Sequence, residues 1–420
     1  MTVTLLDAAL LRAAETMASR ITDSLTEPPA PNHAGDDYGP RSTRWYGQSL
    51  SKGAAGVAIL HGVRAQTGHG GWEPVRAWLR RASAETLNNG AGAGLWFGAP
   101  AVTHALTTAM PHAHLAALDA LDRAVADLTG RRLAAAEARL AAGARPSLSE
   151  FDLVRGLTGL GAHLLRRSPD GDLLRQVLMY LVRLTEPVDA FDEAGRLAPG
   201  WWSADPPDGE GPERGGHANL GMAHGITGPL ALLALAMRQH IGVPGQTEAI
   251  GRICSWLDRW QQTGPAGPWW PEKITAAELH AGKPAASGPA RPSWCYGTPG
   301  IARAHQLAGI ALGDCARQQA AEEALARCMA DPVQLNQVID PSLCHGWAGL
   351  AATLWYAAAD ARDTSLPAAV PHLTRLLIQH ATDTTPAPSG LITGPAGVAL
   401  SLHIFATGTA IQWATSLLIN

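Results

Sequence analysis

Short apolar stretches alternate with longer amphipathic stretches along the whole chain. Residues 159–165 and 397–404 are mostly apolar, whereas residues 116–140 carry aspartate and arginine at intervals among alanine and leucine. A mostly apolar stretch of this kind predicts a helix buried on all sides, and an amphipathic stretch predicts a helix with one face in solvent. The pattern therefore predicts a helical protein in which buried and partly exposed helices alternate.

A short motif, Gly-x-x-Gly followed by small or apolar residues, marks the start of each apolar stretch, with one weaker copy in which Ala101 stands in place of the second glycine. Successive copies are 45 to 72 residues apart, which is room for two helices and their loops. Helix pairs repeated in this way are typical of a closed ring. We predict an all-α fold, an α/α toroid with about seven inner and seven outer helices, forming a single domain over residues 1–420. The first glycines of the seven copies are Gly53, Gly98, Gly156, Gly225, Gly297, Gly346 and Gly394.

Composition agrees with helices and excludes several classes of function. The chain of 420 residues has a formal net charge of −4, so nothing indicates the basic surface that nucleic acid requires. The N-terminus does not resemble a signal peptide, and the apolar stretch at 229–237 is too short for a bilayer, which needs about 20 residues. Five cysteines are too few, and odd in number, for a disulfide framework. We expect a soluble, reduced, intracellular protein with no integral membrane segment.

Side chains suited to metal binding occur at one position of the repeat. Cys295 and Cys344 each stand two residues before a first glycine, and His345 stands directly before one. Because equivalent positions of a closed ring lie at the same end, these three side chains should converge. Two thiolates and an imidazole are typical zinc ligands, and three protein ligands leave a fourth position for a water or a thiol. The alternative is that both cysteines are small buried apolar residues, a common place for a cysteine.

Two further polar residues stand at similar positions in neighbouring copies. His224 directly precedes Gly225, and Asp152 stands four residues before Gly156. His224 could cap or pack a helix start, and Asp152 could be an N-cap. Their position also makes them candidates for proton transfer at the predicted metal site.

Three motifs together resemble the lanthionine synthetase C-like (LanC) family. They are Gly-Met-Ala-His-Gly at 221–225, Ser-Trp-Cys-Tyr-Gly at 293–297 and Leu-Cys-His-Gly-Trp at 343–347. The resemblance extends to 152–159 and to the C-terminal Gly-Pro-Ala-Gly at 394–397, so it covers nearly the whole chain. It implies an α/α toroid with Zn²⁺ bound by Cys295, Cys344 and His345.

The resemblance also implies an activity in antibiotic biosynthesis. Cyclases of this family add a peptide cysteine thiol to dehydroalanine or dehydrobutyrine and so close a lanthionine or methyllanthionine thioether ring. His224 matches the family's acid/base histidine, and Asp152 matches an aspartate that assists proton transfer or orients a partner. Arg291 and Tyr296 match residues that line the site, where the Arg291 cation could stabilise an enolate.

The resemblance further implies partners and a location. The expected partners are a dehydrated precursor peptide with its leader, a separate dehydratase and an exporter. The chain has no dehydratase or kinase-like region, so we expect a stand-alone cyclase in the cytoplasm, gathered peripherally at the inner membrane face. An accessory insertion with strands, frequent in the family, is not recognisable, because residues 101–146 have a helical pattern.

Two alternatives remain at the level of sequence. The first keeps the fold and the zinc but binds glutathione or adds it to dehydroamino acids. The second is a toroid without this chemistry, such as a scaffold or a glycan-binding α/α barrel. Hydrolytic barrels of that kind need paired carboxylates in the cleft, whereas the repeat position here offers cysteine and histidine.

Overall fold

The computed structural model describes residues 5–29, 47–112, 116–187, 198–206, 215–383, 390–409 and 411–420. Within these residues the chain is predominantly helical. The α-helices in chain order are α1 (Ala8–Asp23), α2 (Ala54–Gln66), α3 (Trp72–Ala82), α4 (Ala99–Ala109), α5 (Ala116–Ala141), α6 (Leu148–Phe151), α7 (Leu157–Arg167), α8 (Asp172–Leu184), α9 (Thr227–Arg238), α10 (Gln246–Trp260), α11 (Ala276–Ala281), α12 (Thr298–Leu312), α13 (Cys315–Ala330), α14 (Pro332–Leu335), α15 (Trp347–Ala359), α16 (Ser365–His380) and α17 (Pro395–Thr407).

Every copy of the glycine motif starts a buried helix, as the sequence predicts. Six of the first glycines directly precede their helix, and at Gly225 the helix begins two residues later. The resulting helices, α2, α4, α7, α9, α12, α15 and α17, are buried along most of their length. In α4 all eleven residues are buried. The count of about seven inner and seven outer helices stays a prediction.

The second glycine of the motif allows a close approach between backbones. A β-carbon at Gly300 would lie 2.2 Å from the carbonyl oxygen of Trp294, and one at Gly397 would lie 2.0 Å from that of Leu391. Both carbonyls are six residues upstream, in the loop that leads into the helix. Only glycine lets this loop fold back against the first turn of the helix.

Amphipathic helices alternate with the buried ones. In α3, for example, Val75, Trp78 and Ala82 are buried, whereas the last turn also carries Arg80 and Arg81. The buried positions recur every three or four residues, which is the periodicity of one helix face. Residues 101–146 contain most of α4 and all of α5, so the predicted helical character of this region is confirmed.

Two small antiparallel ribbons are added to the helices. Strands β1 (His217–Asn219) and β4 (Lys273–Thr275) pair with each other, and β2 (Gln262–Gly264) pairs with β3 (Gly267–Trp269). Two 3₁₀ helices, Ala381–Asp383 and Gln412–Leu417, complete the described elements. No helix in the described part of the chain is both long and apolar enough to cross a membrane.

Packing contacts divide the chain into two compact units. The first comprises Met1–Val125 and Val338–Ala414, and the second comprises Ala126–Gln337 and Thr415–Asn420. In the first unit, α2 packs between α4 and α17, α17 contacts α15, and α1, α3 and α16 pack on α17, α2 and α15 respectively. In the second unit, α9 packs between α7 and α12, and α8, α10 and α13 pack on α7, α9 and α12.

Candidate functional site

The loops that lead into neighbouring buried helices are joined by backbone hydrogen bonds. In the second unit, the Met222 amide donates to the carbonyl of Cys295 at 2.9 Å, and the Leu153 amide donates to that of Ala223 at 3.2 Å. In the first unit, the Cys344 amide donates to the Ile392 carbonyl at 3.0 Å. Within each unit, equivalent positions of successive copies therefore lie side by side, as the repeat predicted.

Asp152 and His224 form a carboxylate–imidazole pair in the second unit. The His224 Nδ1 lies 2.7 Å from Asp152 Oδ2. The other oxygen, Oδ1, accepts hydrogen bonds from the amides of Arg155 at 2.6 Å and Gly156 at 2.8 Å. The Asp152 side chain is 2 % exposed, whereas that of His224 is 39 % exposed. The pair is thus anchored at the carboxylate and accessible at the imidazole.

The bonding of Asp152 defines the protonation of the His224 ring. A carboxylate has only hydrogen-bond acceptors to offer to the ring. The imidazole therefore places its proton on Nδ1, which donates to Asp152. The second nitrogen, Nε2, is left with its lone pair directed away from the carboxylate, which is the arrangement of a histidine that accepts and returns a proton.

Cys295 lies in a tight turn built around Ser293. The Ser293 hydroxyl accepts a hydrogen bond from the Tyr296 amide at 3.0 Å and donates one to the Tyr296 carbonyl at 2.6 Å. The Cys295 Sγ lies 3.5 Å from the same hydroxyl. Cys295 is buried, and the turn places its carbonyl toward the loop that carries His224.

Tyr296 presents a phenol that remains protonated. Burial raises its pKa to about 12, although the Asn219 amide, which donates to the phenol oxygen at 3.1 Å, opposes the rise. Asn219 is itself fixed by the Gly221 amide, which donates to its Oδ1 at 2.9 Å. The phenol oxygen already accepts from Asn219, so its own O–H is available as a donor.

Arg291 lies on the loop before Cys295 and is partly exposed. Among the described residues, no hydrogen bond or ion pair holds its guanidinium. The structure thus places Arg291 in the same unit as the Asp152–His224 pair without fixing the direction of its charge.

Cys344 and His345 belong to the first unit. Cys344 is partly buried, and the His345 Nδ1 lies 2.8 Å from Asp340 Oδ2. The Asp340 Oδ1 accepts the Ser342 amide at 2.8 Å. Burial alone would raise the pKa of the Asp340 carboxyl, but hydrogen bonds from His345 and Ser342 lower it to about 2. Asp340 is therefore a carboxylate, and His345 donates to it through Nδ1.

The predicted zinc ligands fall in both units, with Cys295 in the second and Cys344 and His345 in the first. Their chemistry suits zinc, because thiolates and a carboxylate-bound imidazole are typical of its sites. All five cysteines, including the two candidate ligands, are outside disulfides in the described residues. Among the described residues, no group of three or more His, Cys, Asp or Glu side chains is arranged to hold a metal ion. The three-ligand site stays a prediction.

Two residues near these side chains lie outside the sequence motifs. Asp340 precedes its motif by several residues, and Asn219 stands just before another motif. The acidic residue five positions before His345 is a sequence signal for this contact, because a helix-start loop folds back on itself. Asn219 has no such signal, since its contact with Tyr296 spans 77 positions.

A comparison with protein families identifies the family of this chain. The profile of the family described as lanthionine synthetase C-like protein matches residues 44–418. Nisin biosynthesis protein NisC of Lactococcus lactis subsp. lactis is 25% identical over 206 residues, which are 48% of this chain and 47% of that protein. The match thus spans about half the length of this relative.

A solved structure gives the third comparison. Nisin cyclase superposes with a TM-score of 0.73 at 18% identity, covering 98% of each chain. This likeness confirms the predicted fold class, all-α and of the α/α toroid type.

Proposed function

The chain belongs to the lanthionine synthetase C-like protein family, and on that basis we propose that it is a lanthipeptide cyclase. The sulfur of a substrate cysteine bonds to the β-carbon of dehydroalanine or dehydrobutyrine as the carbon–carbon double bond becomes single. The thiol gives up its proton, and a proton is added at the α-carbon. The peptide neither gains nor loses atoms, so ring closure leaves its mass unchanged.

The observation that supports this proposal most is the Asp152–His224 pair. The carboxylate, anchored by two backbone amides, holds Nδ1, and the accessible Nε2 is available to carry a proton. In the proposed reaction, His224 takes up the thiol proton or delivers a proton to the α-carbon, and Asp152 orients the ring and stabilises its protonated form. Groups positioned in this way contribute roughly 100-fold to 10,000-fold to a rate.

Cys295, Cys344 and His345 are proposed as the ligands of a zinc ion. When bound, Zn²⁺ lowers the pKa of a thiol, so that the nucleophilic thiolate exists near neutral pH. Tyr296, whose phenol stays protonated, is proposed to donate a hydrogen bond to the oxygen that becomes negative as the sulfur adds. Arg291 is proposed to supply positive charge there.

The substrate and partners follow from the proposed reaction. A dehydrated precursor peptide with its leader would be the substrate, since a relative is named as a nisin biosynthesis protein. A separate dehydratase would supply the dehydroamino acids, and an exporter would take the product. We place the protein in the cytoplasm, peripheral at the inner membrane face. Nothing in the comparisons favours the glutathione alternative.

The test is ring closure in a dehydrated precursor with one cysteine and one dehydroalanine. The peptide is incubated with the wild-type chain, with Cys344→Ala or with His224→Asn, then alkylated and analysed by mass spectrometry. Wild-type protein should leave a peptide of unchanged mass that no longer reacts with the alkylating reagent. If the thiol persists equally with wild type and with Cys344→Ala, the proposal is wrong. A glutathione adduct, formed when glutathione is supplied, would instead support the alternative activity.

A further inference from the structure

His345 and His224 share one bonding pattern although different roles are proposed for them. Each stands directly before a first glycine, and each directs Nδ1 to a carboxylate oxygen, at 2.8 Å for His345 and 2.7 Å for His224. The partner of His224 comes from another copy of the repeat, whereas Asp340 lies five residues before His345 in the same loop. The loop carrying a proposed ligand therefore provides its own carboxylate.

We propose that Asp340 is a positioning residue that holds His345 through Nδ1 and so makes Nε2 the nitrogen presented to the metal. The inference rests on the proposed zinc site. A carboxylate that accepts the second N–H of a ligating imidazole fixes its tautomer and ring direction and raises its basicity. It also explains how adjacent residues Cys344 and His345 can serve one ion, because Asp340 sets the direction of the ring independently of the cysteine.

The two oxygens of Asp340 have separate partners. Oδ1 accepts the Ser342 amide and so shapes the turn, whereas Oδ2 contacts His345. The loop is closed further by the Trp347 amide, which donates to the Asp340 carbonyl at 3.0 Å. A β-carbon at Gly346 would lie 2.5 Å from Oδ1, so glycine at this position leaves the carboxylate its place beside the ring. Oδ1 thus stabilises the turn of the loop, and Oδ2 holds the His345 ring.

Because the two oxygens have different partners, one substitution can change the contact with His345 and keep the contact with Ser342. Asp340→Asn can keep Oδ1 as acceptor of the Ser342 amide, but it turns an N–H₂ donor toward His345. Asp340→Ala loses both contacts. Asp152→Asn is the matched control, because it makes the same change beside His224, which is not a proposed ligand.

Zinc affinity of the full-length chain is measured by competition with a chromophoric chelator, starting from metal-free protein. Asp340→Asn should weaken zinc binding about 10- to 100-fold while the thermal unfolding midpoint of the metal-free protein stays within about 2 °C of wild type. Asp340→Ala should lower both the zinc affinity and the thermal unfolding midpoint. Asp152→Asn should bind zinc as wild type does, and His345→Ala should lose the most affinity.

Each remaining outcome counts against a specific claim. Wild-type affinity in Asp340→Asn would overturn the role of Asp340 while leaving the zinc site in place. A wild-type chain that takes up no zinc would overturn both. Equal weakening in Asp340→Asn and Asp152→Asn would show that the effect is not specific to the ligand loop, and the inference would fall.

Discussion

His224 and Asp152, 72 positions apart in sequence, meet through a 2.7 Å contact between Nδ1 and Oδ2. The contact exists because the loops of two successive copies are joined through the Leu153 amide and the Ala223 carbonyl. The backbone brings the pair together, and the two amides that donate to the other oxygen of Asp152 fix the direction of its carboxylate. The imidazole is therefore held in one tautomer before any substrate arrives.

Asp152→Asn should lower the rate of ring closure by at least about 100-fold. Asparagine can still accept the two backbone amides, but its N–H₂ group opposes the Nδ1 proton of His224 and favours the tautomer protonated at Nε2. The rate is measured from the loss of alkylatable thiol with time in a dehydrated precursor. A variant that closes rings at the wild-type rate would remove the pair from the mechanism.

Gly300→Ala should destabilise the fold by about 2 to 3 kcal/mol. The added methyl would lie 2.2 Å from the Trp294 carbonyl oxygen, so the helix or its loop must shift. Gly251→Ala is the control, since nothing lies within 4 Å of that β-carbon inside α10. It should raise stability by about 1 kcal/mol because alanine is the better helix former. Urea unfolding measures both, and equal effects would contradict the close-packing explanation.

Acid should destabilise the first unit through His403. Burial lowers the pKa of His403 to about 4, despite Glu15 Oε2 at 2.9 Å. The folded state therefore excludes a proton that the unfolded chain binds below about pH 6.5. This stability is complete above that pH and is lost as pH falls toward 4.

The expected loss between pH 8 and pH 5 from this group is about 2 kcal/mol. The contribution of His403 is measured by comparing the unfolding free energies of wild type and His403→Gln at both pH values. The difference between pH 8 and pH 5 should be smaller in the variant by about 2 kcal/mol. His372→Gln, at an exposed position, should retain the wild-type dependence. An unchanged slope in His403→Gln would contradict the burial effect.

Alkylation of the native chain should distinguish its cysteines. Cys315 is exposed, whereas Cys254 and Cys328 are buried and burial raises the pKa of each to about 12. Because the thiolate is the reactive form, iodoacetamide should modify Cys315 first and leave the two buried thiols unmodified until the protein unfolds. Peptide mapping after short reaction times identifies which cysteines have been modified. Early labelling of Cys254 would contradict the packing of α10.

Much of the fold is predictable from sequence because it depends on local, repeated features. The glycine motif and the apolar stretch behind it identify each buried helix, and steric contact at positions such as Gly300 explains why glycine is needed. The short ribbons are harder to predict. The region from Gly264 onward has the composition of a loop, and the pairing of β1 with β4 depends on residues far apart in sequence, such as Ala218 and Ile274, which are 56 positions apart.

Some contacts of the candidate site are likewise predictable from sequence, and others are not. Positions within the motifs predict that the loops of Asp152 and His224 are neighbours, and the structure joins these side chains directly. The Asp340–His345 contact depends on how one loop folds back, and the Asn219–Tyr296 contact on how two copies pack. Such contacts follow from three-dimensional geometry, which a motif does not encode.

The joints between neighbouring helix-start loops are made by peptide groups, which every amino acid supplies. The residue directly before the first glycine can therefore change without disturbing the joint, and in other copies it is Lys52, Phe97 or Thr393. The residue at this position can therefore be replaced in one copy without changing the backbone contacts of the others. A single substitution at this position can therefore place a histidine in a helix-start loop, as at His224 and His345, while the backbone hydrogen bonds between the loops are kept.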